Sequence, residues 1–137
     1  MMRGSLLESL RRLMGRQMSR SHKSARFRLE YAPPAGGGSS VTVGHLSFDG
    51  TQWSFRYDPE YRRRSDLRPI EGFPDLDKVY RATTLFPFFA VRIPHEDRPD
   101  VRRRLERDHV EEPDATDLLR MYGRHAAASP AYELVEN

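Results

Sequence analysis

Residues 43–61, VGHLSFDGTQWSFRYDPEY, constrain the fold more than any other stretch of the chain. Two apolar-alternating runs flank Asp49 and Gly50, a pair that favours the tight type I′ turn of a β-hairpin. On the second arm, residues 53–57 alternate between aromatic side chains and Ser or Arg, so the aromatic residues point to one face. The sequence therefore predicts a hairpin with one buried face.

The totals limit the classes of protein to which the chain can belong. Its 137 residues, 37% of them hydrophobic, are expected to form one domain with tails. The absence of cysteine excludes disulfides and thiolate metal sites and is typical of a reducing compartment. No apolar run approaches the ~20 residues that a membrane helix needs. We therefore expect a cytoplasmic protein without a membrane span.

The net charge of +3 is unevenly distributed along the chain. Residues 1–28 hold eight Arg and Lys against one Glu, whereas the remainder holds 15 basic and 19 acidic residues. Because positive charge binds phosphate groups, only the N-terminal arm is a candidate nucleic-acid contact. Its candidate anion contacts are Arg12, Arg16 and Arg20.

The N-terminal arm has the pattern of a short amphipathic helix. Ser5 and Glu8 have the spacing of a capping box, and Leu and Met residues follow on one helical face with arginines on the other. We therefore divide the chain into a basic extension, residues 1–24, and a domain, residues 25–137. The helix could pack on its own domain, dock in a partner's groove or lie on an anionic surface.

The first half of the domain has strand patterns. Residues 25–31 alternate as a half-buried strand does, and residues 33–40 form a Pro- and Gly-rich connector. With the hairpin over residues 41–57, they predict an antiparallel meander of at least three strands. Gly44 within the hairpin's first arm indicates a β-bulge.

Residues 79–93, VYRATTLFPFFAVRI, are the most apolar part of the chain. Periodicity is compatible with a buried helix broken by Pro87 or with a pair of strands. The aromatic content exceeds what one small core requires. Phe86 and Phe88 are therefore our first candidates for contact with a partner.

Trp53 and the basic triplet Arg62, Arg63 and Arg64 are further candidates for partner binding. Each also has a plain structural explanation. The triplet fits a solvated turn, with binding of an acidic partner as the alternative. Trp53 shares a strand face with other aromatic residues, so for this residue a core position is favoured.

Two helices and a strand are predicted in the C-terminal part. Residues 99–108 and 113–123 have helical patterns, and residues 131–135 alternate as a strand. A helix-turn-helix is rejected because Asp114 and Asp117 would replace the donors that a recognition helix needs. The predicted fold is α+β: a small antiparallel sheet with two to three short helices, in addition to the N-terminal helix.

The sequence nominates no catalytic residue. The five histidines form no i, i+3 or i, i+4 pair, and there is no nucleophile elbow, Walker loop or kinase signature. We therefore expect no enzyme activity, no metal and no cofactor.

Three segments, in order, resemble one known family. VGHLSFDGTQWSFRYDPEY resembles the hairpin near the start of HipA-type serine/threonine kinase toxins. LFPFFAVRIPHEDRPDVRRRLERD resembles the aromatic helix, proline and charged helix that follow it, and DLLRMYGR with the later AYEL is similar to that domain's closing helix, glycine and strand. The resemblance covers roughly residues 41–135, and His125 stands where the family often has Asp.

The resemblance implies a stand-alone relative of the HipA N-terminal domain, comparable to the small HipS partner of split toxin–antitoxin systems. Since no kinase body follows in this sequence, we expect an antitoxin-like module that binds a HipA-like kinase in trans. The alternative is a nucleic-acid-associated protein that binds through its basic arm. Whether the chain self-associates is left open.

Overall fold

A five-stranded antiparallel sheet organises the protein in a computed structural model, which describes residues 24–32 and 40–137. The strands lie in the order β4-β3-β2-β1-β5, so that the first and last of the described strands are neighbours. Their bounds are β1 Ala25–Tyr31, β2 Val41–Phe48, β3 Trp53–Tyr57, β4 Tyr80–Ala82 and β5 Tyr132–Glu136.

Four short helices occupy the connections within the described residues, which confirms the α+β class. Their bounds are α1 Pro59–Arg63, α2 Pro87–Ala90, α3 Pro99–Arg107 and α4 Ala115–Tyr122. The first three begin with proline, whose fixed φ suits the first helical position and whose missing N–H would have no partner there. The predicted N-terminal helix lies outside the described residues.

The sheet has an inner face, against which the helices pack, and an outer face. Alternation along each strand places the apolar side chains on the inner face, as the sequence pattern predicts. In one row across the sheet, Phe27 of β1, Leu46 of β2 and Phe55 of β3 are at most 2% exposed. Phe89 of α2 packs its ring 5.5 Å from that of Phe55, and Leu119 of α4 joins the same core.

The hairpin between β2 and β3 is confirmed, but the type I′ turn is wrong. Gly50 has φ 105°, whereas Asp49 is not among the described residues with positive φ. Asp49 instead accepts hydrogen bonds through its carboxylate from the amides of Thr51 at 2.8 Å and Gln52 at 2.7 Å. These hydrogen bonds lower the pKa of Asp49. An Asp side chain that can bond the following amides does not need the left-handed conformation.

A β-bulge in β2 is confirmed next to Gly44. The register with β1 shifts so that Leu29 pairs with Gly44 and Glu30 with Thr42, which leaves Val43 without an opposing residue. As a result Val43 and Gly44 are both buried in succession, and the carbonyl of Val43 accepts the amide of Asp58 at 2.8 Å. A β-carbon at Gly44 would lie 2.5 Å from the carbonyl oxygen of Arg56, so only glycine fits there.

The most apolar stretch adopts neither of the two predicted structures. It forms the short strand β4 at the sheet edge and, after a bend, the single-turn helix α2. Pro87 begins that helix instead of breaking one, because it occupies the first helical position.

The C-terminal elements follow the predicted pattern. Val101 and Leu105 of α3 are buried against Leu118 of α4 in a small second cluster. Asp114 caps α4 in a reciprocal capping box with Asp117. The closing strand β5 then pairs with β1 along its whole length.

Candidate interaction surfaces

Helix α2 carries the partner candidates Phe86 and Phe88 in partly buried positions. The Phe86 ring lies 5.1 Å from that of Phe73, and the Phe88 ring lies 5.7 Å from that of Tyr132. Next to them Val91 is 66% exposed, which makes it more exposed than Val79, the other large apolar side chain that is exposed among the described residues. Phe88 and Val91 are three residues apart and so lie on one side of the helical turn. This turn is thus a partly exposed apolar surface on a rigid core.

A buried arginine, Arg92, packs against the apolar surface at α2. Arg92 is 4% exposed, and its guanidinium donates to the carbonyls of Phe88 at 3.1 Å and Tyr132 at 3.4 Å and to the hydroxyl of Ser129 at 3.4 Å. It also lies 5.0 Å from the Phe88 ring. No described carboxylate pairs with it, and burial lowers the pKa of the guanidinium. Arg92 therefore connects the end of α2 to the start of β5 through uncharged groups.

Trp53 is 3% exposed, as its place among the inner-face residues leads one to expect. Its ring lies 4.7 Å from that of Phe48. Both rings line a cavity of about 270 Å³ whose other walls include Thr84, Leu85 and Thr116. Trp53 is thus a core residue that also borders a small cavity beside the segment leading to α2.

The basic triplet lies at the end of α1. Arg62 and Arg63 form its last turn, so these two are helical where a turn was predicted, whereas Arg64 is the C-cap residue and is extended. All three are exposed; Arg64 pairs with Asp66 at 2.7 Å and Arg62 with Asp77 at 3.6 Å. Exposed pairs of this kind contribute little to stability, so the triplet is available to a partner.

Arg12, Arg16 and Arg20, the candidate anion contacts, lie outside the described residues. The alternative function that rests on them stays a prediction.

The outer face of the sheet is a surface that the sequence analysis did not identify. Strand register places Arg26, Ser47, Ser54 and Arg81 in one row from β1 to β4. The next row contains Arg28, His45 and Arg56. The helix residues that join the core of the sheet, Tyr61 of α1, Phe89 of α2 and Leu119 of α4, pack on the opposite face. The alternation in β1 and β3 was the available signal, but only the register shows that these arginines are neighbours.

The other end of the outer face is acidic. Glu30 pairs across the strands with Glu133 of β5, and Asp58 follows β3. His45 Nε2 lies 2.7 Å from Asp58 Oδ1. Partial burial acts to raise the pKa of Asp58, but the hydrogen bonds from His45 and the Glu60 amide, with the charges of His45 and Arg56, lower it overall. Toward the hairpin turn, the face thus carries arginines that form no ion pair with the described residues. Toward α1 it carries carboxylates, which lie within ion-pair distance of Arg28, Arg124 and His45.

A second cavity, of about 490 Å³, lies beside α3 and has charged walls. Among residues 24–32 and 40–137, no group of three or more His, Asp or Glu side chains is placed to hold a metal ion. The charged residues lining the cavity are Glu96, Asp97, Arg102, Glu106, His109 and Glu111.

In the part of the chain that the structure describes, no helix combines the length and apolar content of a membrane span.

Comparison with protein families gives a match over most of the domain. Residues 38–128, more than half of the chain, match the HipA N-terminal domain. The chain belongs to the HipA N-terminal domain family. Its matched part runs from just before β2 to just after α4 and leaves out β1 and β5, which pair with each other at one side of the sheet. The family expected from the three sequence segments is thereby confirmed. Comparison with curated proteins and with solved structures gives no match.

Proposed function

We propose that this HipA N-terminal domain protein is a non-enzymatic interaction module that binds a HipA-like kinase in trans, in the cytoplasm, and regulates it as an antitoxin-like component. Family membership supports a HipA-related role. The observation that carries the interaction role is the apolar surface at α2, where Val91 is 66% exposed and adjoins the half-buried Phe88. Apolar surface on an otherwise charged small domain is characteristic of a binding site.

The α2 surface is suited to binding because its supports are fixed. Phe88 lies between the rings of Phe89 and Tyr132 and above the guanidinium of Arg92. Such packing holds the exposed atoms in place before a partner arrives, which reduces the entropy lost on association. The triplet at the end of α1 is the second contact in this proposal, and it would supply exposed positive charge at the rim.

Co-expression with a HipA-like kinase encoded nearby tests the proposal. A tagged form of the full chain is expected to co-purify with the kinase, to elute with it in size exclusion as one complex, and to relieve the growth arrest that the kinase causes. Separate elution together with undiminished toxicity would contradict the proposal.

Two exposed valines offer a matched pair of variants for locating the contact. Val91→Asp places a charge in the α2 surface and is expected to weaken kinase binding about tenfold or more, because a charge would be buried in an apolar contact. Val79→Asp makes the same change at a residue that is 40% exposed and directly precedes β4, and this variant is expected to bind as the wild type does. Equal binding by both variants would exclude α2 as the contact.

A further inference from the structure

The basic end of the outer sheet face is a defined cluster, which we call the sheet patch: Arg26, Arg56 and Arg81, with Ser47 and Ser54 between them. Arg26 and Arg81 end the same row on β1 and β4, three strand spacings apart, or about 14 Å at the usual separation of strands. Arg56 lies two residues from Ser54 along β3, about 7 Å from that row. The three guanidinium groups thus occupy an area comparable to one face of a short helix or strand.

These arginines form no ion pair among the described residues, and the only carboxyl whose pKa is lowered by the charge of one of them is that of Asp58, beside Arg56. No carboxylate of the described residues lies within ion-pair distance of Arg26, Arg56 or Arg81, and all three residues are exposed. Off the sheet, exposed arginines commonly pair, as Arg64 does with Asp66 and Arg98 with Asp100. The contrast is marked because residues 24–32 and 40–137 are acidic overall, with 17 Arg and Lys against 19 Asp and Glu.

We infer that the sheet patch docks a carboxylate-bearing segment of the protein partner. The inference rests on the proposed function, since it names a second surface for the same partner and the chemistry that this surface requires. Guanidinium groups bind carboxylates with paired hydrogen bonds. The hydroxyls of Ser47 and Ser54 are hydrogen-bonded to each other at 2.7 Å, so this pair has one O–H left to donate. A segment with two or three Asp or Glu side chains on one face would match the positive charges of the patch.

Other occupants fit the patch less well. A nucleic acid would meet Glu30, Glu133 and Asp58 at the other end of the same face, and the patch offers no aromatic side chain on which bases could stack. Residues 1–23 of this chain carry six Arg and Lys against one Glu, so like charges would oppose them on the patch. A second copy docked through the same patch would also bring arginines together.

A matched pair of triple variants tests the inference in the full chain. Arg26→Gln, Arg56→Gln and Arg81→Gln remove the charge of the patch. The control, Arg68→Gln, Arg102→Gln and Arg103→Gln, removes equal charge from exposed arginines that lie off the sheet. Affinity for the HipA-like kinase is measured by calorimetry at roughly 50 mM and roughly 300 mM NaCl, since salt screens exposed charges.

The patch variant is expected to bind about tenfold more weakly at low salt and to lose most of the salt dependence that the wild type shows. The control is expected to stay within about twofold of the wild type. Patch and control variants with equal affinities and equal salt dependence would overturn the inference and leave the proposed function standing. Urea unfolding of each variant verifies that loss of binding does not reflect loss of fold.

A peptide assay decides the inference if the wild type does not bind the kinase, a result that would overturn the proposed function. The probe is a fluorescent helical peptide with four Glu on one face, compared with its Gln counterpart and with a short DNA duplex. Binding of the Glu peptide to the wild type and the control but not to the patch variant supports the inference. Absence of such binding, or equal patch-dependent binding of the duplex, overturns it.

Discussion

The two faces of the sheet are formed by the same strands, but one is apolar and buried and the other is polar and faces outward. On the inner face, the row of Phe27, Leu46 and Phe55 is closed off from solvent by helices. One residue along each strand, Arg26, Ser47 and Ser54 form a row that faces outward. Burial of the inner row stabilises the fold, because removal of apolar area from water is the main driving force of folding. The outer row contributes little to folding and is therefore available for recognition.

The largest expected difference between the faces is in the free energy of unfolding. Phe55→Ala on the inner face should destabilise the domain by about 3–5 kcal/mol, because it leaves a cavity in the centre of the core. Its sequence neighbour on the outer face, Arg56→Gln, should change stability by less than about 0.5 kcal/mol. Urea titration, followed by the fluorescence of Trp53, measures the free energy of unfolding of both variants. A loss of more than about 2 kcal/mol in Arg56→Gln would show that the outer face is structural.

Gly44→Ala tests how closely β2 and β3 approach each other at the bulge. The added methyl group would lie 2.5 Å from the Arg56 carbonyl oxygen and 2.6 Å from the Phe55 ring, so the strands must separate to admit it. We expect a loss of about 2–3 kcal/mol, in the range for overpacking. Thermal unfolding gives the value. The control is Thr42→Ser on the outer face of the same strand, because serine keeps the hydroxyl that donates to Glu30. Equal melting temperatures for the two variants would be inconsistent with the tight strand approach at Gly44.

Among residues 24–32 and 40–137, Arg92 is the one charged residue that is buried. Arg92→Ala should cost about 2 kcal/mol, because the carbonyls of Phe88 and Tyr132 lose their donor and the side-chain volume is left empty. Arg92→Met fills much of that volume and buries no charge, so it should cost less. Chemical unfolding ranks the two variants. Equal losses in the two variants would mean that the guanidinium hydrogen bonds, and not the packing, stabilise the site.

A fall in pH should lower the stability of the protein through protonation of Asp58 on the outer face. Its pKa is lowered in the folded state, so its contribution to stability is present above the ordinary value of 3.8 and is lost as the pH falls through the lowered value. Asn also caps helices well, so Asp58→Asn keeps the cap of α1 and removes only the charge. Between about pH 5 and about pH 3 the variant should lose less stability than the wild type, by at most about 1 kcal/mol. Unfolding curves at both pH values measure the difference, and parallel losses would contradict it.

The two faces also differ in how far the sequence could predict them. Alternation in residues 25–31 and 53–57 correctly separates inner from outer side chains, and the hairpin carries the family resemblance that the family match confirms. Local patterns failed at Asp49, whose carboxylate bonds the turn amides, and at Pro87, which starts a helix. Both outcomes depend on bonds or positions that residue type alone does not fix.

The sheet patch could not be predicted because it depends on register between distant strands. Arg26 and Arg81 are far apart in sequence. They lie in one row only because four strands pair in this register, which includes a bulge in β2. Counting charge by chain segment gives an acidic body and so conceals a basic face. The candidates Phe86 and Phe88, by contrast, follow from local composition, although their half-buried setting does not.

The most direct measurement compares binding and stability in the same variants. The affinity for a HipA-like kinase and the free energy of unfolding are determined for the wild type, for Val91→Asp and for Arg26→Gln combined with Arg56→Gln and Arg81→Gln. We predict that both variants lose about tenfold or more in affinity while their stability stays within about 0.5 kcal/mol of the wild type. Unchanged affinity in both variants, with the kinase bound as tightly as by the wild type, would contradict the assignment of these surfaces to partner binding.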